Sequence, residues 1–388
     1  MENIKKILKN EKVNWKKLEE IVDFQRGQAI TKKQVTEGNV PVIAGGQKPA
    51  YYHNVSNREP PVIAIAGSGA YAGFVSYWKQ PIFISDAFSA IPKNDKIISI
   101  RYLYHFLLMN QHKIHDLKRG SGVPHVYGQD VGKIKIPIPS IPTQEKIVNI
   151  LDKFTELTAE LTAELTARKK QYSYYLNLLL SESYLSKLSL KLEDNAVEWK
   201  TLGEIGKISM NKRIMKNQTS SFGDIPFYKI GTFGKVANAF INKDLYEEYK
   251  TKYSYPKKGD ILLSASGTIG RTVIFDGKPA YFQDSNIVWL EHDKNKVLNE
   301  YLYFYYKKID WYKYASTGGT IGRLYNENLK KVKILVPSIN IQKEVVKVLS
   351  IFQDLIKSAE GFLPKEIAQR EKQYSYYREQ LLNFQKEE

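Results

Sequence analysis

The pentapeptide Gln171-Tyr172-Ser173-Tyr174-Tyr175 returns unchanged as Gln373-Tyr374-Ser375-Tyr376-Tyr377, a displacement of 202 in a chain of 388 residues. Arg168 and Arg370 precede the two copies, and Leu179-Leu180 and Leu381-Leu382 follow them. Moving outward, Pro139-Ser140-Ile141 with Gln144 returns as Pro337-Ser338-Ile339 with Gln342, displaced by 198. At that same displacement Ile147, Val148, Ile150, Leu151 and Phe154 find Val345, Val346, Val348, Leu349 and Phe352. Farther out, Trp15-Lys16-Lys17-Leu18-Glu19-Glu20-Ile21 is matched by Trp199-Lys200-Thr201-Leu202-Gly203-Glu204-Ile205, displaced by 184. The chain is one plan used twice, a variable block followed by a constant segment. The growing displacement makes the second block longer by 14 residues, which we expect in loops, and the second constant segment longer by 4, about one helical turn.

The constant segments read as helices. From Gln144 to about Ser181, Ile147, Leu151, Phe154, Leu157, Leu161 and Leu165 recur at spacings of three and four with no Gly or Pro. Pro137, Pro139 and Pro142 stop what precedes, and Thr143 is the expected N-cap. Thr158-Ala159-Glu160-Leu161 repeats at once as Thr162-Ala163-Glu164-Leu165. Each four-residue step drifts by only about 40°, so the leucines stay on one face of a rod about 57 Å long. The second copy, Gln342 to Phe384, carries the same stripe, but Gly361 and Pro364 predict a kink or break. Helices this long and amphipathic need partners, and each copy is the obvious partner of the other.

The variable blocks have a different texture. Pro41–Ala44, Val62–Ala66, Phe83-Ile84, Ile261–Leu263, Thr272–Phe275 and Ile287–Leu290 are short β-branched runs bounded by Gly, Pro and Asp, hence strands. Ile100 to Ile114 and Leu298 to Lys307 read as helices. The expected fold class is mixed α+β: two homologous globular α/β domains joined by two long antiparallel helices that form a coiled-coil spacer with pseudo-two-fold symmetry. The expected organisation is an N-terminal extension (1–14), a first block (15–140), a central helix (141–190), a linker (191–198), a second block (199–338) and a C-terminal helix (339–388).

Charge follows this plan. Lys and Arg number 58 against 41 Asp and Glu, a formal net charge of +17. Residues 15–140 carry +7, residues 199–338 carry +10, and everything else sums to zero. Lysine enrichment as mere background would spread the excess evenly. Two basic domains joined by neutral helices point instead to two phosphate-binding modules.

Catalytic signatures are missing. There is no cysteine, which excludes a disulfide framework, thiolate zinc sites, iron–sulfur clusters and a cysteine nucleophile, and a reducing cytoplasm suffices. No apolar run approaches the roughly 18 residues of a membrane span. No Gly-x4-Gly-Lys-Ser/Thr loop occurs, and Gly67-Ser68-Gly69-Ala70-Tyr71-Ala72-Gly73, one residue off the dinucleotide pattern, reads better as a turn or a close approach to phosphate than as a cofactor loop. Glu59-Pro60-Pro61-Val62 lacks the amide or acid and the aromatic that would hold a flipped base. His112 and His115 share a helix face without further metal ligands in view.

Two variable blocks, each closed by a Pro-Ser-Ile entry with Gln144 or Gln342, a long helix, and Arg168-Lys169-Lys170-Gln171-Tyr172-Ser173-Tyr174-Tyr175 together resemble the specificity subunit of a type I restriction-modification system, over essentially the whole chain. The resemblance implies a non-catalytic, cytoplasmic protein. Its blocks would be target-recognition domains on double-stranded DNA, and its paired helices would dock two methyltransferase subunits, with two restriction (translocase) subunits as optional partners. No cofactor is expected on this chain; S-adenosylmethionine, ATP and Mg belong to the partners. Alternatives left open are a DNA-binding regulator without a methyltransferase, and a bipolar adaptor for protein or RNA.

Candidate DNA-contacting residues are the polar loop positions Arg26, Gln47, Lys48, Tyr51, Ser68, Arg119, Ser121 and His125 in the first block, and Lys212, Arg213, Ser266, Thr268, Arg271, Thr317 and Arg323 in the second. Tyr172, Tyr174, Tyr175, Tyr374, Tyr376 and Tyr377 read either as a docking surface for partners or as core between helices.

Overall fold

The computed structural model describes residues 11–194, 196–316 and 322–384. Contacts divide the chain into two units, residues 1–164 with 362–388, and residues 165–361. Each unit therefore holds one variable block, the start of the helix that follows it and a piece of the other long helix.

In the first unit the block closes on itself, strand Asn14–Lys17 pairing antiparallel with Lys135–Ile138. Between them lies an antiparallel sheet in the order Val22–Arg26, Ala87–Pro92, Val62–Ala66, Val75–Trp78, and a smaller sheet of Tyr51–His53, Val40–Ile43 and Phe83–Ile84. Val62–Ala66 is buried at every position because both faces of the sheet are covered. Ile63 and Ile65 face the main core with helix Ile100–Met109, while Val62 and Ala64 join Ile43, Ile82 and Ile84 on the other side.

The second unit repeats the plan. Glu198–Thr201 pairs with Lys333–Val336; one sheet is ordered Gly206–Ser209, Ile287–His292, Ile261–Ser264, Thr272–Ile274, and the other Phe240–Ile241, Ile225–Tyr228, Tyr281–Phe282. Strand pairing locates the insertion. The displacement grows from 188 at His53 and Ile241 to 198 at Ala66 and Ser264. Most of the extra length therefore forms helix Lys243–Lys252, which corrects the expectation of loops. Asn242 caps this helix by accepting the Asp244 N–H at 2.7 Å, and Tyr246 buries in an aromatic cluster with Phe227 and Tyr281. Burial of that face holds the insertion in place.

The central helix, Ile141–Leu179, starts one turn earlier than expected, with the Ser140 carbonyl accepting the first N–H bonds, from Thr143 and Gln144. It also ends earlier, so residues 141–190 form two helices rather than one. The second, Glu182–Lys191, starts after Ser181, whose hydroxyl accepts the Tyr184 N–H at 3.3 Å. The break is stabilised by Lys308, whose ammonium donates to the Leu180 carbonyl at 2.7 Å. The terminal helix, Ile339–Leu382, runs unbroken through Gly361 and Pro364, correcting the expected break. Pro364 removes one N–H and costs about 3 kcal/mol. Its turn is exposed, so water can reach the freed carbonyl, and Leu349 and Ile356 before it with Leu381 and Leu382 after it anchor both sides.

Helix pairing is visible inside each unit. In the second, Lys169 pairs with Glu360 at 3.3 Å and Tyr175 stacks on Phe352 at 4.3 Å. One residue number rises as its partner's falls, so the segments run antiparallel. In the first, Phe154 stacks on Tyr377 at 5.1 Å, and Ile147 and Leu151 share a core with Leu381 and Leu382. Leu157, Ile351 and Leu355 remain exposed.

The repeated glutamines tie helix to block. Gln144, fully buried, accepts the Ser99 N–H at 2.9 Å and donates to the carbonyls of Ile97 and Pro139 at 2.9 and 3.0 Å. Gln342 does the same with the Leu298 N–H and the carbonyls of Lys296 and Pro337, at 2.8, 2.9 and 2.8 Å. A carboxamide suits the place because it supplies an acceptor and two donors together.

Candidate nucleic-acid interface

In the first block, Gly67–Gly73 connects two neighbouring antiparallel strands rather than a strand and a helix, so it is a turn. Gly69 adopts φ +80, and its counterpart Gly267 in the second block φ +63, a region that side chains disfavour. Against this turn lies a tight hairpin: Arg119 and His125 exchange backbone hydrogen bonds at 2.9 and 2.8 Å, and His125 also bridges to Ser68. Ser121 sits in the exposed tip. Gly45 packs against the Ser68 carbonyl, so the exposed segment carrying Gln47 and Lys48 starts beside the turn, and Tyr51 opens the next strand. Arg26, at the end of its strand, and His125 line a cleft of about 470 Å3.

Several of these groups are engaged within the protein. The Arg119 guanidinium is bonded to the buried Asp130 and lies 5.8 Å from the Tyr127 ring, which makes it a pin for the hairpin. The Ser68 hydroxyl donates to Asp86. His125 stacks on Tyr127 at 6.1 Å. His115 Nδ1 lies 2.7 Å from the Ala72 carbonyl, and no cluster of three or more metal-ligating residues occurs among the described residues.

The second block builds the same corner. Ser266 bridges to Arg323, and Arg323 to Ser316, with Arg323 standing where His125 stands and Tyr325 where Tyr127 does. Thr317 lies outside the described residues. Arg213 joins Arg323 in a cleft of about 340 Å3 and pairs with Asp284 at 2.8 Å. Two other candidates sit elsewhere. Lys212 lies 5.1 Å from the Tyr253 ring, and Arg271 donates to the Phe233 carbonyl at 2.8 Å. Thr268 is exposed in the turn, its carbonyl accepting the Ser264 hydroxyl at 2.5 Å. Sequence reading missed Lys216, Lys229, Gln283 and Asn286, which also line this cleft. Asn286 stands where Asp86 does, each bonded to the serine of the turn, but the displacement there is 200 rather than the 198 of Ser68 and Ser266, so the repeat does not align them directly.

The tyrosines divide by position. Tyr172 and Tyr175 pack on the core of the second unit, and Tyr374 and Tyr377 on that of the first. The middle residues, Tyr174 and Tyr376, are 61% and 47% exposed. Tyr374 meets the ionisable cluster of the first unit: its hydroxyl lies 2.9 Å from His105 Nδ1, while His105 Nε2 lies 2.7 Å from Asp152, which also receives Arg101 at 2.7 Å. Burial pushes the His105 imidazole below its ordinary value, against the pull of Asp152. Burial opposes ionisation of Asp152, but hydrogen bonds from His105 and Arg101 outweigh it and hold its carboxyl down to about 2.

Among the described residues no helix is long and apolar enough to cross a membrane. Residues 10–168 and 196–369 match the family described as Type I restriction modification DNA specificity domain. A putative type I restriction enzyme specificity subunit of Haemophilus influenzae is 43% identical, the alignment covering 98% of this chain and 98% of that one. The EcoR124I/EcoR124II type I restriction enzyme specificity subunit of Escherichia coli is 29% identical, covering 100% and 98%. Among solved structures, the S subunit of a type I restriction-modification system from M. genitalium has a similar fold, with a TM-score of 0.61 at 19% identity over 97% of this chain and 98% of that one. A chain from a study of complex assembly in a type I restriction-modification system has a TM-score of 0.52 at 15% identity, covering 96% and 98%.

Proposed function

Because the chain belongs to the family of type I restriction-modification DNA specificity subunits, we propose that it reads a bipartite, asymmetric site on double-stranded DNA, one half-site per variable block, and leaves methyl transfer to partners. The observation that carries this reading is the same polar corner built twice on basic blocks, with His125 in one copy and Arg323 in the other. The same frame with different side chains reads different bases. The halves of the site should therefore differ, and it should not be palindromic.

The paired helices, carrying no net charge of their own, dock two methyltransferase subunits, with the exposed Tyr174 and Tyr376 in the docking surface. Rings with one apolar body and one polar tip suit such surfaces. S-adenosylmethionine, ATP and Mg act on the partner subunits, and two restriction subunits complete the assembly where the system cleaves DNA. Methylome sequencing of the host with and without this gene tests the reading. A gapped, asymmetric N6-methyladenine motif that vanishes with the gene is the expected result. The absence of any such motif would favour a regulator or adaptor.

A further inference from the structure

The cleft in the second block is lined by Arg213, Lys216, Lys229, Gln283, Asn286 and Arg323. The oxygens of its two amides and Oδ2 of Asp284, which also lines it, are engaged inside the protein. Gln283 Oε1 accepts the Ile230 N–H at 3.0 Å, and Asn286 Oδ1 accepts the Ser266 hydroxyl at 2.8 Å. The Asp284 carboxylate accepts from Arg213 at 2.8 Å and from the Ser285 hydroxyl at 3.2 Å. Each carboxamide is held by its oxygen, which fixes its NH2 group as the outward function. The Arg323 guanidinium lies 5.7 Å from the Tyr325 ring and donates through one nitrogen to the Ser285 carbonyl at 3.3 Å, and Arg323 lines the cleft.

Apart from Asp284 Oδ1, these side chains leave a ligand an array of donors, which calls for an edge of acceptors. In the major groove guanine alone offers two adjacent acceptors, N7 and O6; adenine sets an amino group beside N7, cytosine presents an amino group, and thymine sets a methyl beside O4. Phosphate oxygens are the other acceptors DNA supplies. We propose that this cleft reads a guanine of the second half-site, with Arg323 as the bidentate donor to N7 and O6, and with the amides of Gln283 and Asn286 rejecting bases that present an amino group. Lys216 and Lys229 grip the neighbouring phosphates. The first block offers no equivalent: His125 replaces Arg323, Ser68 is bonded to a carboxylate rather than an amide, and its cleft includes Glu19, Asp23 and Asp86. The inference rests on the proposed function and adds which half carries the guanine.

The test uses the full chain with its methyltransferase, in the host for methylome sequencing and purified for binding to duplex oligonucleotides. Arg323→Ala should make one G·C position of the second half-site degenerate, lowering discrimination there by roughly 5- to 150-fold, and leave the first half-site intact. Arg323→Lys keeps the charge but not the fork, and should lose the same discrimination with an unchanged salt dependence. Asn286→Asp should shift the preference at that position toward a base with an amino group. Retained reading of the first half-site reports that each variant is folded. A second half-site without a G·C pair overturns the inference. So does uniform weakening of Arg323→Ala across sequences with a salt slope smaller by about one, which would make Arg323 a phosphate contact. A wild type with no gapped motif fails earlier, at the proposed function itself.

Discussion

Replacing Gln342 by Leu keeps the volume close and removes every polar bond at the start of the terminal helix. Three backbone groups lose their partner: the Leu298 N–H and the carbonyls of Lys296 and Pro337. Gln342 itself is fully buried, so water cannot replace it without opening the junction. At about 1 to 1.5 kcal/mol for each bond lost, and more for a group left unsatisfied, the loss is about 3 to 5 kcal/mol. Burying an apolar chain returns about 1 to 2 kcal/mol. The net expectation is about 2 to 3 kcal/mol, enough to lower a urea midpoint by about 1 M at a slope of about 2 kcal/mol/M. Hydrogen exchange at the Leu298 amide should accelerate in parallel. Gln342→Glu should be at least as damaging, because it keeps the acceptor but turns a carboxylate toward two carbonyls. A midpoint within about 0.3 M of wild type, together with unchanged exchange at Leu298, would refute the idea that this amide clamps helix to block.

His105 predicts an acid-sensitive first unit. Its imidazole titrates below the ordinary value in the folded protein, so on acidification the unfolded chain takes the proton first, and stability falls as pH drops below about 6.5. Asp152, held down to about 2, adds a second loss below about 3.8. Urea midpoints measured at pH 7.5 and 5.5 should therefore fall more steeply for wild type than for His105→Gln, and equal slopes would count against the cluster. Deleting Thr162–Leu165 removes one four-residue unit and about 6 Å of helix; the unread gap of the methylated motif should contract, and unchanged spacing would reject the helices as its ruler. Replacing both Tyr174 and Tyr376 by Ser should weaken co-purification of methyltransferase while leaving the thermal melt in place, since neither ring lies in a core.

The repeat, the alternation of blocks and helices and the placing of charge were legible because each is a property of residues close in the chain. Hydrophobic spacing reports which face of a helix is apolar, and β-branched runs report strands, so the main strands and both long helices could be read directly. Local rules misjudged the places where distant contacts intervene. Pro364 stays helical because residues on both sides of it are anchored in cores. Ser181 begins a new helix because Lys308, more than a hundred residues away, satisfies the Leu180 carbonyl. The insertion is a helix because Tyr246 has an aromatic cluster to enter.

The candidate interface shows the same boundary. Sequence alone determined that two basic, non-identical blocks share one frame, and it picked Ser68, His125, Ser266 and Arg323 from glycine-rich polar loops. It could not separate the free cations from the engaged ones. Arg119 is bound to Asp130 and Arg271 to a backbone carbonyl, and both facts depend on partners the chain brings in from elsewhere. Nor could it show that Gln283 and Asn286 join Arg323, because strand pairing and an isolated bridge bring those segments together across the domain. Tertiary structure alone decided which end of each amide is engaged and which is free. Hydrogen-bond direction belongs to pairs of groups in space, and no single residue carries it.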